Sequence, residues 1–158
     1  MPLEIERKFL VKEDFRPFVV QTTYIMQGYL SSVPERTVRV RIRDKQGFIT
    51  IKGKNNSTGL SRYEWEKEIP LDEARELMQL CEPVIIEKKR HIIPNSSFLF
   101  EVDEFLGNNV GLIIAEIELP TEETLFEKPT WLGIEVTGDT RFYNSYLTKN
   151  PYPKWKDK

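Results

Sequence analysis

The sequence predicts a mainly β protein of α+β type, with a few helices, on three observations. Short runs in which charged residues take every second position recur along the chain, the period of strands with two unlike faces. Turn-forming residues separate these runs, and only two stretches show helical spacing. About eight strands with so few helices need a sandwich or a barrel to cover their apolar faces.

The first run, Glu4 to Val11, puts Glu4, Glu6 and Lys8 on one side and Ile5, Arg7 and Phe9 on the other. A half-buried strand ordinarily turns an apolar face inward, so two carboxylates and an ammonium in a row either face water or hold something together. Lys12 to Val20 can hold a short helix with Pro17 in its first turn, and Thr22 to Leu30 is rich in strand formers. A turn follows over Ser31 to Glu35. Thr37 to Arg43 alternates Arg39, Arg41 and Arg43 against Val38, Val40 and Ile42, and after a turn over Asp44 to Gly47, Phe48 to Lys54 puts Thr50, Lys52 and Lys54 together. Asn55 to Gly59 is a loop by composition.

Arg62 to Pro70 alternates most clearly, with Glu64, Glu66 and Glu68 opposite Tyr63, Trp65, Lys67 and Ile69. A helix capped by Asp72 then presents Ala74, Leu77, Met78 and Cys81 on one face, so Cys81 reads as core rather than nucleophile. Beyond Pro83, Val84 to Ile93 places Lys88 and Arg90 on one face and Glu87, Lys89 and His91 on the other; His91, the sole histidine, is expected at a surface or rim. Phe98 to Phe105 aligns Leu99, Glu101, Asp103 and Phe105, and Ile113 to Leu119 aligns Glu116 with Glu118. Leu132 to Thr137 reads as the last strand. A helix over Asp139 to Lys149 packs through Phe142, Tyr146 and Leu147, and a polar, loose tail occupies 151–158 after a single domain over 1–150.

Composition excludes several classes. The chain has 158 residues, and 23 Lys plus Arg against 25 Asp plus Glu leave no net field for nucleic acid or an anionic membrane. One cysteine rules out a disulfide framework, and no apolar stretch is long enough to span a bilayer, so a soluble cytoplasmic protein is the expectation.

Collected, the charged faces form an acidic group, Glu4, Glu6, Glu64, Glu66, Asp103, Glu116 and Glu118, with Glu101 beside it, and a basic group, Lys8, Arg39, Arg41, Lys52, Lys88 and Arg90, with Arg43 and Lys54 as outer members. Each face alone could point at water. If they line a closed barrel, its interior is a hydrated, charged channel, and its ions must meet water, one another or a ligand, because each unpaired buried ion costs several kcal/mol. A polyanion carried with a hard divalent cation matches both signs, whereas one Cys and one His disfavour zinc.

In order, Glu4-Ile5-Glu6-Arg7-Lys8, Gln27-Gly28-Tyr29-Leu30, Val38-Arg39-Val40-Arg41, Thr50-Ile51-Lys52-Gly53, Tyr63-Glu64-Trp65-Glu66, Lys88-Lys89-Arg90, Phe100-Glu101-Val102-Asp103 and Ala115-Glu116-Ile117-Glu118 resemble the CYTH superfamily of triphosphate tunnel metalloenzymes. The ending from Gly133 to Asp139, followed by Arg141-Phe142-Tyr143, is similar to the small bacterial members. The resemblance implies an eight-stranded antiparallel closed barrel and hydrolysis of triphosphates, inorganic tripolyphosphate first, with Mg²⁺ or Mn²⁺. Carried over residue by residue, Glu4, Glu6, Glu64, Glu66, Asp103, Glu116 and Glu118 would ligate metal, and Lys8, Arg39, Arg41, Lys52, Lys88 and Arg90 would grip phosphate. Lys8 would hold the terminal phosphate or pair with Tyr29 to place a proton, core packing being the other reading of Tyr29, and Glu6 would join them as a catalytic residue. Arg43, Lys54 and Glu68 are expected at the rim, and Glu101 either ligates or holds an arginine. An adenylyl cyclase and a noncatalytic polyphosphate or nucleotide binder are the alternatives; the partner expected is tripolyphosphate or another triphosphate, with a homodimer open.

Overall fold

The computed structural model describes residues 3–148 and 150–152. Nine strands are formed among them: β1 (Leu3–Val11), β2 (Gln21–Ser31), β3 (Arg36–Arg43), β4 (Gln46–Gly53), β5 (Ser61–Ile69), β6 (Ile86–Asn95), β7 (Phe98–Phe105), β8 (Ile113–Glu118) and β9 (Leu132–Glu135). Helix α1 spans Leu71–Gln79, and the single turn α2 spans Asn144–Leu147. The sheet runs β5-β4-β3-β2-β6-β7-β8-β1, and β1 also pairs with β5, so eight antiparallel strands close into a barrel. One edge of β1 pairs with β8 over Glu6–Leu10, while the other pairs with β5 over Leu3–Ile5 and with β9 at Phe9 and Val11. The ninth strand therefore extends the sheet where the barrel has opened.

Closure gives each strand an inner and an outer face, and the apolar residues divide between two clusters. Outside, Phe9, Phe100, Val102, Ala115 and Ile117 pack beneath Phe15, Trp131 and Leu132, with Phe100 and Trp131 edge to face at 5.1 Å between centroids. The second cluster sits inside one end. Leu10, Ile86, Phe105 and Ile114 each lie two residues from Lys8, Lys88, Asp103 and Glu116, so they share those residues' inner face. They close on Val136, Phe142 and Leu147, which plug that end of the barrel.

Several local expectations are corrected. The β3–β4 connection is a two-residue turn, Asp44-Lys45, with Asp44 at φ 52°, shorter than the turn over Asp44 to Gly47. The expected helix between β1 and β2 shrinks to a 3-10 turn at Arg16–Phe18 with proline in its first turn. Asp72 does not cap α1; Pro70 occupies that position and Asp72 lies in the first turn, where its charge suits the helix dipole. The last helix is split into a 3-10 turn, Thr140–Phe142, and α2, because Tyr143 between them is extended (φ −81°, ψ 139°). Lys149 and 153–158 lie outside the described residues; Tyr152 at the start of the expected tail packs on the plug, and its N–H donates to Asn109 Oδ1 at 2.9 Å. His91 is buried on the outer face rather than at a rim, against Phe15 and between Thr22 and Glu104, with ring nitrogens at 2.8 and 3.0 Å from them. Ile51 and Trp65, expected to be covered, stay 37% and 40% exposed as cross-strand neighbours on β4 and β5.

Helix α1 and the chain after it cover β2–β4 over two glycines. A Cβ on Gly47 would stand 2.5 Å from Ala74 Cβ, and one on Gly28 would stand 2.9 Å from Cys81 Cβ. Half-buried Cys81 is thus a packing residue, its thiol pushed up by burial and by Glu82, which suits the core role expected of it. Gly47→Ala is expected to cost about 1–3 kcal/mol by overpacking. A fall in the urea midpoint at unchanged slope, partly recovered by Ala74→Gly, is the measurement that checks it.

Candidate active site

Inside the barrel the charges are sorted by wall. Neighbouring strands β8, β1 and β5 carry Glu116, Glu118, Glu4, Glu6, Glu64 and Glu66 into one cavity, while β3, β4 and β6 bring Arg39, Arg41, Arg43, Lys52 and Arg90 into it. The cavity measures about 180 Å³ and is also lined by Lys8, Tyr29, Thr37, Glu101, Arg62, Tyr143 and Asn144. Of the residues expected from sequence, Arg43 belongs to the cavity rather than only to its rim, its guanidinium 4.6 Å from the Phe48 ring centroid. Lys54 lies beyond it, and Glu68 is not among its lining residues.

Two expected members are placed differently. Asp103 and Lys88 do not line the cavity; they are 2% and 0% exposed and form an ion pair, with Lys88 Nζ 2.6 Å from Asp103 Oδ2. Arg90, directly opposite Asp103 in the β6–β7 register, donates to its two oxygens from Nε and Nη2 at 2.8 and 2.9 Å. Burial would push Asp103 up, but Arg90 and Lys88 hold it well below the usual carboxylate range. Burial, with Arg90 and Arg41 beside it, pulls Lys88 down to about 7 against the attraction of Asp103. The triad separates the charged cavity from the plug, with Lys88 5.3 Å from the Phe105 ring centroid. Glu101 lines the cavity and reaches Arg90 Nη1 at 3.5 Å.

Register also settles the other pairs. Lys52 faces Glu64 across β4–β5 and lies 3.2 Å from it and 3.0 Å from Glu4. Lys8 faces Glu116 across β1–β8 at 3.6 Å, with Glu6 at 3.9 Å. Burial alone would raise Glu116, but Lys8 draws it down to about 2. At Glu6 the cations are outweighed: burial, then Glu116 and Glu4, push it up to about 8 against the pull of Lys8 and Lys52. Its register partner Glu118 is also raised, by burial and by Glu4, Glu64 and Glu101.

Negative charge is therefore under-compensated around Glu6 and Glu118, in a donor set made wholly of carboxylate oxygens, which is the chemistry a hard divalent cation fits. Among the described residues no three acidic, His or Cys side chains already converge as a formed cation site. The opposite wall has surplus donors. Arg39 Nη2 donates to Thr50 Oγ1 at 3.2 Å, and its buried Nε finds no protein acceptor. Arg41 donates to Gln27 Oε1 at 2.9 Å, and burial with Arg39 and Arg90 nearby pulls it down to about 9, still cationic at neutral pH. A buried unmet donor costs about 1–3 kcal/mol, which an anion across Arg39 and Arg41 would offset. The arrangement can hold a phosphate chain between a cationic wall and a carboxylate wall whose oxygens suit a hard divalent cation.

Neither Arg62 nor Tyr143 was expected as a site residue, although Tyr143 belongs to the closing Arg141-Phe142-Tyr143 motif. Arg62 shares the parity of Glu64 and Glu66 on β5 and lies opposite Glu4 at the barrel's closing edge, with Nε 3.8 Å from Glu4 Oε1. Tyr143 belongs to no strand, so alternation had no signal for it. Its ring centroid is 4.8 Å from Lys8 Nζ and 5.8 Å from Arg62 Cζ.

Comparison with known proteins agrees with this geometry. The family model described as CYTH domain matches residues 2–143. The chain is 49% identical over 158 residues, 99% of its length and the whole of the relative, to an inorganic triphosphatase of Acetivibrio thermocellus. It is 35% identical over 91% of its length, and 95% of the relative, to an inorganic triphosphatase of Nitrosomonas europaea. A crystal structure of an inorganic triphosphatase is similar at a TM-score of 0.66 and 32% identity, covering 91% of this chain and 96% of that one. A Pyrococcus horikoshii protein with 21% identity shares the fold at a TM-score of 0.59, over 75% of this chain and 79% of its own.

Proposed function

The chain belongs to the CYTH domain family, and from that premise we propose that it hydrolyses inorganic tripolyphosphate to pyrophosphate and phosphate with Mg²⁺ or Mn²⁺. The observation that carries the reading is one cavity with a carboxylate wall across β8, β1 and β5 facing guanidinium groups on β3 and β6. Glu4, Glu6, Glu64, Glu66, Glu116 and Glu118 would hold the cation, which screens phosphate charge and lowers the pKa of a bound water. Arg39, Arg41 and Arg90 grip the chain of phosphates and stabilise charge as it moves to the leaving oxygen. Lys8 and Lys52, now paired with carboxylates, reach the same space and supply charge at the acidic wall. Tyr29, buried opposite Arg39 in the β2–β3 register and lining the cavity, would with Lys8 orient the proton of the attacking water. Asp103 and Lys88 serve here by fixing Arg90 rather than by touching metal or substrate.

No helix among the described residues is long and apolar enough to cross a membrane, and the half-buried free Cys81 suits a cytoplasmic, reducing setting. The testing experiment supplies tripolyphosphate or ATP with each metal and resolves phosphate, pyrophosphate and cyclic AMP. Metal-dependent phosphate release from tripolyphosphate is expected. Cyclic AMP with pyrophosphate would replace the reading by a cyclase, and binding without turnover by a noncatalytic binder. Glu6→Gln is expected to remove most metal-dependent turnover while keeping the far-UV circular dichroism of the parent.

A further inference from the structure

A second cavity, of about 700 Å³, adjoins the first, and Thr37, Arg62 and Tyr143 line both. The charged cavity, at about 180 Å³, falls below the roughly 300–1,000 Å³ of pockets that hold nucleotide-sized ligands. The second falls within that range. Among the described residues no carboxylate lines it, and Lys54, Asn56, Ser57 and Thr58 do, a surface suited to a polar organic group attached to an anion. A triphosphate with its phosphates on Arg39 and Arg41 would reach this second space with an ester substituent by passing the shared wall.

Tyr143 is the large member of that wall and is fixed from three sides. Its Oη accepts a hydrogen bond from Asn55 Nδ2 at 2.9 Å, and its ring is engaged by Lys8 and Arg62. The loop bearing Asn55 comes close enough because Gly59 and Gly138 meet without side chains: a Cβ on Gly59 would stand 2.5 Å from Gly138 Cα, and both have positive φ, 75° and 81°. On the other side, the neighbouring Phe142 is anchored in the apolar plug. A ring already engaged by two cations and hydrogen-bonded at its hydroxyl acts as a wall rather than as a stacking platform.

We propose that Tyr143, clamped by Asn55, determines specificity by closing the phosphate site toward the second cavity, so that unsubstituted triphosphate is favoured over triphosphates bearing a nucleoside. This rests on the triphosphatase reading. The test measures kcat/KM for tripolyphosphate and for ATP, with Mg²⁺, in the parent and in Tyr143→Ala, Tyr143→Phe and Asn55→Ala. Tyr143→Ala is expected to lower tripolyphosphate turnover, since Lys8 loses the ring, while moving the ATP-to-tripolyphosphate ratio toward ATP by about tenfold or more. Tyr143→Phe and Asn55→Ala, which keep the ring and lose its clamp, are expected to agree with each other and fall between. Affinity for a non-hydrolysable ATP analogue, measured by calorimetry, should rise in the same order. A merely structural role would lower both substrates together, so an unchanged ratio in folded variants overturns the proposal. A ratio moving away from ATP also overturns it, because Tyr143 would then be a platform for the base. If Tyr143→Ala fails to fold, the two clamp variants decide alone. A parent enzyme inactive on both substrates would instead sink the triphosphatase reading.

Discussion

Replacing Asp103 by alanine is expected to destabilise the protein by about 3–5 kcal/mol, because it leaves Lys88 and Arg90 buried without their counter-charge. For a chain of this size that is a fall in Tm on the order of 10 °C, a large share of a typical domain stability of about 5–15 kcal/mol. The pH dependence carries a sign. Asp103 is held well below the ordinary range, so its contribution is fully present above the unfolded carboxylate value of about 3.9 and is lost as pH falls through its folded value. The gap in stability between parent and variant should accordingly narrow on acidification below about pH 4. Lys88→Met should cost less, since Lys88 is already drawn down to about 7 and a methionine can fill its buried channel beside Phe105. Thermal melts of the metal-free proteins check both. An Asp103→Ala protein that melts like the parent without metal, yet loses metal-dependent turnover, would return Asp103 to the role of a ligand.

Arg39→Ala is expected to act in the opposite direction on stability and with the larger effect on activity. Arg39 is buried, its Nε has no protein acceptor, and its sole hydrogen-bond partner among the described residues is the neutral Thr50. Deleting it removes a desolvated charge that the protein itself does little to offset, so Tm should hold or rise. In catalysis the same deletion removes a preorganised donor to the phosphates, for which a loss of about 10²–10³-fold in kcat/KM is the ordinary scale. Steady-state kinetics on tripolyphosphate, beside a melt of the same sample, separate the two. A Tm fall comparable to that of Asp103→Ala would mean that Arg39 is a structural cation after all.

Asp103 and Arg39 show how far alternation can be read. Both were legible as inward charged residues, because period two assigns a face whatever the strand's neighbours are. Their different roles were not legible. A register slip of two residues keeps every side chain on its face but changes its partner, and only the β6–β7 ladder sets Asp103 against Arg90. His91 failed for a related reason: its polarity suggested a rim, while Phe15, distant in sequence, covers the outer face where it lies.

By itself, the sequence determined the strand-rich class, the order of most elements, the two charged groups and the family to which they belong, because each of these depends on local spacing and on motif order. Tertiary structure alone decided that β1 divides one edge between β5 and β9, that the inner faces turn apolar toward Leu10, Phe105 and Ile114, and that Phe142 and Leu147 plug that end. It alone brought Tyr143, which lies on no strand, to the cavity, and set Arg62 against Glu4. These depend on where the barrel closes and which loops meet across it. A chain's local periodicity is blind to that, since ring closure is set by pairing between residues more than 50 positions apart, such as Glu4 with Arg62.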